Sequence, residues 1–210
     1  MVPPGAFAVH TDSNPIYATG EGASVGLEAL AEAGPPTGFP EEPGLVDEFG
    51  AMTGEMGVVS AGAFTPEHTV ADPNDTMGEV PGAPPIAPGG AFEFTVDAEP
   101  GQRLSFASMF VPSNDVFVSP GPEGIALWPT DDEPVDGDVT DRLALWDAGT
   151  EPNAAPGDGP DQAPTQDAPD QGADEGGVVR RLSAVDDGHD YPSVADAIRV
   201  TLTPAETMDG

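Results

Sequence analysis

Apolar and polar residues alternate most clearly in the middle and at the end of this chain. Phe92, Phe94 and Val96 alternate with Glu93, Thr95 and Asp97. In the next run Leu104, Phe106 and Phe110 share one face, with Ser105, Ala107 and Met109 on the other. Ile198, Val200 and Leu202 alternate with Arg199, Thr201 and Thr203. A period of two predicts strands, and turn residues between them predict an antiparallel sandwich with one wet face per sheet. Pro100-Gly101 is a turn signal that predicts a hairpin between the first two of these runs. Shorter strands are expected at 5–10, 58–65, 125–128, 142–146 and 177–182.

Helical spacing is confined to the first quarter. Leu27, Leu30 and Ala31 share a face between Ser24, an N-cap residue, and the stop Gly34-Pro35. Leu45, Phe49 and Met52 repeat in the same way. Residues 66–90 hold Pro, Gly and Asp and read as loop. Residues 149–176 are poor in apolar residues and rich in Asp, Pro, Gly, Gln and Ala. That composition suits a linker, but the tail after it is too short for a core of its own. It is expected to be a long acidic loop within one domain spanning 1–210.

Charge changes the picture next. The 210 residues carry 38 acidic and 5 basic side chains, a formal charge of −33, and every basic residue is Arg. Such a charge borders on the signature of disorder, yet the apolar residues fall in ordered runs. A folded protein adapted to high salt accounts for both, because screening shortens to about 3 Å at about 1 M salt. The absence of a basic footprint excludes nucleic acid as a partner and disfavours direct contact with an anionic membrane. No stretch reaches the roughly 18–20 apolar residues of a membrane span. There is no cysteine, so disulfides do not hold the fold.

The candidate chemistry sits at Trp146-Asp147-Ala148-Gly149-Thr150-Glu151, directly after the apolar run Leu143-Ala144-Leu145. The run predicts a strand ending at Asp147, and Gly149 allows a sharp turn, so Asp147 and Glu151 can point back at one spot. Hard cations such as Ca²⁺ take about six to eight oxygen ligands, and such a loop supplies them. From spacing alone, a solvated acidic turn is the competing reading.

Trp146 to Glu151 resembles the WDAGTD signature of the spondin N-terminal domain family, in its prokaryotic branch with haloarchaeal composition. Ala8-Val9-His10, residues 26–32, residues 101–107, Val111-Pro112-Ser113-Asn114-Asp115 and residues 124–127 fit the same family, so the likeness runs from about 5 to about 203. The resemblance implies an all-β fold, an antiparallel C2-like β-sandwich of about eight strands with one or two short helices in its N-terminal loops. It implies one calcium ion held by Asp115, Asp147 and Glu151, with Asn114 as an additional ligand. Two positions depart from the family: Glu stands at 151 in place of Asp, and the first loop reads Pro-Ser-Asn-Asp. The family is exported, which implies a secreted or cell-surface protein whose partners are calcium and a cell-surface protein or glycan. Met1-Val2-Pro3-Pro4 has no leader character. Either the leader lies outside this chain or the start is truncated, and the strand that the family usually carries before a segment like 4–10 is one that a truncated start would remove.

Other motifs carry less. Gly22-Ala23-Ser24-Val25-Gly26 matches a nucleophile elbow, but too little chain precedes it to build the parallel sheet that an elbow needs, and Ser24 serves as a cap. His10, His68 and His189 share no ligand spacing. The run 131–138 imitates an EF-hand loop, but Pro134 takes a ligand position and Leu143 stands where the closing Glu belongs. Trp128, Trp146 and Phe110 are expected in the core. Three functions remain: a calcium-stabilised attachment module, a metal-dependent hydrolase using the carboxylates, and a purely structural envelope module. The first is preferred, and the chain is not expected to be an enzyme.

Overall fold

The computed structural model describes residues 3–39, 41–54, 57–73, 86–130, 133–163 and 165–205. Part of the loop expected at 66–90 and the start of the acidic run 131–138 lie outside these. The fold is all-β and antiparallel, with three short α-helices among the described residues. Its main sheet joins β1 (Gly5–His10), β2 (Val58–Phe64), β5 (Arg103–Met109), β6 (Val116–Pro120), β9 (Leu143–Asp147) and β10 (Arg180–Arg181) in the order β10-β9-β6-β5-β1-β2. β7 (Ile125–Ala126) pairs with β5 beyond the end of β6. Two small ladders form a second layer: β3 (Thr69–Ala71) with β4 (Ala91–Phe92), and β8 (Gly137–Asp138) with β11 (Thr201–Leu202).

Alternation along the central strands feeds two cores. Ala6, Ala8, Ala107, Phe117, Ala144 and Trp146 face one side, where Leu27 and Leu30 of α1 (Val25–Ala33) and Leu45 and Phe49 of α2 (Leu45–Met52) pack on them. Alanines on β1, β5 and β9 leave room for the helices to lie close to the sheet. Phe106, Val116, Val118, Leu143 and Leu145 face the other side and meet Phe92, Phe94, Val200 and Leu202 of the second layer. The expected wet face is therefore absent from the centre of the main sheet: every residue of β6 and β9 is buried, because helices cover one face and the ladders the other. In the second layer the alternation does separate half-buried from exposed residues at 198–202.

α1 begins as its sequence predicts. Ser24 Oγ accepts from Leu27 N at 3.2 Å and donates to Glu48 Oε2 at 2.6 Å, tying α1 to α2. Gly34 ends α1 in the left-handed region at φ 91°. Gly26 allows the two helices to touch, since a Cβ there would strike the Leu45 backbone nitrogen. Thus the serine of the elbow-like motif is a cap.

The expected hairpin across Pro100-Gly101 does not form. A turn is present, with Gln102 N bonded to Glu99 O at 3.0 Å. But β1 occupies one edge of β5, and β6 and β7 occupy the other. The 92–96 run starts at β4, which ladders with β3, bonds Glu93 N to His68 O at 2.8 Å, and then lays Phe94 on Phe7 with ring centroids 4.6 Å apart. The structure also adds β6, a central strand that alternation does not mark. Its Val116-Phe117-Val118 core is a continuous apolar run, as expected of a strand buried on both faces.

Candidate metal centre

Register brings the site together. β6 and β9 run antiparallel with Val116 opposite Asp147, so Asp115, one residue before β6, lies beside the end of β9. β10 places Arg180 opposite Asp147 on the other edge of β9. Local bonds fix the Asp115 loop: Ser113 Oγ donates to Phe110 O at 2.5 Å and accepts from Val116 N at 3.2 Å. Gly149, at φ 73°, turns the chain after Asp147, and a Cβ there would meet Val178 N. Asp115 and Asp147 therefore converge at one end of the sheet, both 0% exposed.

The two carboxylates are incompletely satisfied. Asp115 Oδ2 accepts from Thr150 N at 2.8 Å and Glu151 N at 3.2 Å. Asp147 Oδ2 accepts from Asn153 Nδ2 at 2.7 Å and lies 3.5 Å from Arg180 Nη2. The Oδ1 atoms of both are buried without a hydrogen-bond partner. A buried, unpaired carboxylate oxygen is costly unless a cation or donor meets it. Burial first, and then the Asp147 charge, push the Asp115 carboxyl up to about 7. Burial also raises Asp147, with Arg180 opposing the shift. Residues that fit a hard cation are thus in place: buried oxygens of like charge, poorly solvated and short of partners.

The third acid of this cluster is Glu175. One oxygen each from Asp115, Asp147 and Glu175 lie within 4.8 Å of one another. Glu151, the third ligand implied by the resemblance, is 2% exposed and turns elsewhere. Its Oε1 accepts from Gly172 N at 2.8 Å and its Oε2 from Asn114 Nδ2 at 3.2 Å. Asn114 is likewise engaged, its Oδ1 accepting from Ala154 N and Gln162 Nε2, each at 3.0 Å. Glu175 sits at the far end of a low-complexity stretch, and only that stretch's return to its own base, which sequence spacing does not report, places it here. The loop is built around Gln162, 1% exposed, whose Nε2 also donates to Ala154 O and Ala155 O.

A second acidic group, Glu28, Glu32 and Asp170, also lies within 4.8 Å. Glu32 is buried, and desolvation pushes its carboxyl up to about 8, partly offset by a hydrogen bond from the Thr150 side chain.

The histidines stand apart. His10 Nε2 lies 2.9 Å from Ser105 Oγ, a serine–histidine contact that the sequence did not signal. Both residues are 0% exposed, and Gly124 closes over them with no room even for a Cβ. Burial lowers the His10 pKa, against the Asp12 backbone bond that raises it. His68 caps a short turn at Thr65, and His189 follows Asp187 in another. Trp146 is buried, donating Nε1 to Ser119 O at 3.1 Å, and Phe110 is core, while Trp128 is half-buried. Among the described residues no helix is long and apolar enough to cross a membrane. Searches against protein-family models and against curated proteins find no match to this chain.

Proposed function

We propose that this protein is an exported, calcium-binding β-sandwich module that serves surface attachment in a high-salt environment. Asp115 and Asp147 hold the ion. The observation that carries the reading is the pair of fully buried Oδ1 atoms, on adjacent strand ends, that lack partners. A calcium ion supplies the missing positive charge and takes its remaining oxygens from backbone carbonyls and water. The alternative cations are less suited: there is no histidine or cysteine in the cluster to favour zinc. The resemblance to the spondin N-terminal family supports export and adhesion to a cell-surface protein or glycan. The acidic surface supports a medium of high ionic strength. Binding is preferred to catalysis, and among the described residues the His10–Ser105 contact that could suggest a nucleophile is sealed inside the sheet. Calorimetric titration of chelator-treated protein with calcium chloride in molar potassium chloride tests this. One saturable site is expected, absent in Asp147→Asn. Equal heats from the two proteins would refute the assignment.

A further inference from the structure

The loop of residues 150–175 leaves the site at Gly149 and returns to it. Two backbone bonds close its base, Glu175 N to Thr150 O and Gly177 N to Gly149 O, each at 2.7 Å. The return brings a Glu175 oxygen within 4.8 Å of oxygens of the two buried aspartates. Arg180 lies among the same groups. Its Nη2 donates to Glu175 Oε1 at 3.0 Å and lies 3.5 Å from Asp147 Oδ2, while its Nε is buried without a partner. One guanidinium thus stands where a divalent ion would serve two of these carboxylates, and it leaves Asp115 Oδ1 and Asp147 Oδ1 unmet. Glu151 plays a different part. Its two oxygens join Gly172, on the returning limb, to Asn114, on the neighbouring loop.

We propose that Glu175 is the third carboxylate on the ion, and that the ion clasps the acidic loop shut by displacing Arg180 from it. The inference rests on the calcium reading above and adds its third ligand and its consequence. Both limbs of the loop then meet at the metal: Asp147 precedes the departing limb and Glu175 ends the returning one. Calcium becomes a fastener for a stretch whose composition alone would leave it open. Arg180 acts as the resident counter-ion of Asp147 and Glu175, so it competes with calcium for them.

The test uses the full chain in molar potassium chloride. Calcium affinity is measured by calorimetry for the native protein, Glu175→Gln, Glu151→Gln and Arg180→Gln. Amide hydrogen exchange at Glu175 and Gly177 is followed with and without calcium. Loss of a charged ligand is expected to weaken binding at least about tenfold in Glu175→Gln, and the change in Glu151→Gln to stay below about threefold. Arg180→Gln is expected to tighten binding severalfold, because it removes a competing charge. In the native protein both amides are expected to exchange more slowly with calcium. A loss in Glu151→Gln as large as that in Glu175→Gln overturns the inference while leaving calcium binding intact, and so does weaker binding in Arg180→Gln. Absence of binding by the native protein overturns this inference together with the reading it rests on.

Discussion

Replacing Asp115 by Asn should raise stability without calcium and lose much or all of that advantage with it. In the metal-free fold the carboxyl is raised from its ordinary 3.8 to about 7, burial being the larger cause and Asp147 the next. A raised carboxyl pKa means that the folded state binds more protons than the unfolded chain between those two values. Stability therefore falls as pH rises through that window. At about 1.4 kcal/mol per unit, the full shift is a penalty of about 4 kcal/mol at most, complete above pH 7 and absent below pH 4. The introduced amide keeps an acceptor for Thr150 N and Glu151 N and removes the charge. In excess chelator at about pH 8, Asp115→Asn should thus melt above the native protein, and the two should converge near pH 4. With calcium at about 100 times its dissociation constant, the native protein gains roughly 2.7 kcal/mol that the variant cannot share, which narrows or inverts the order. Thermal melts by circular dichroism in constant molar salt, across pH and with either chelator or calcium, measure all of this. A variant less stable than the native protein in chelator at pH 8, or a difference that ignores pH, would refute the desolvation argument.

The formal charge of −33 predicts unfolding in dilute monovalent salt and recovery at molar concentration, calcium being held constant. Screening shortens from about 10 Å at 0.1 M to about 3 Å at 1 M, and among the described residues only Arg180 and Arg199 form ion pairs. Equal ellipticity and melting temperature across a potassium chloride series would contradict this. Ser24→Ala removes both the cap on Leu27 N and the bond to Glu48, and should cost about 1–2 kcal/mol in the thermal melt. No change would mean that neither bond contributes.

Features written in local spacing are legible without the fold. The cap at Ser24, the helical face of Leu27 and Leu30, and the strand ending at Asp147 each follow from residues within one turn or one strand of each other. Features set by partner choice are not. The alternation at 92–96 suggests a strand, but which edge it joins depends on β1, β6 and β7 having already taken both edges of β5. β6 is hidden because burial on both faces erases the alternation that marks a half-wet strand. The site divides in the same way. Asp147 stands out at a strand end, whereas Glu175 reaches the cluster only through a loop closure spelled by Thr150, Gly149 and Gly177, which no short-range pattern encodes. Glu151 has the spacing of a ligand, yet its two oxygens accept from Gly172 N and Asn114 Nδ2, partners that spacing alone does not report.

The most direct test of the central claim is an anomalous-scattering map from crystals of the full chain grown in high salt with calcium. One strong peak is expected between Asp115 and Asp147, with oxygens of both at about 2.3–2.6 Å. A map with no peak there, or with its only peak at Glu28, Glu32 and Asp170, would contradict it.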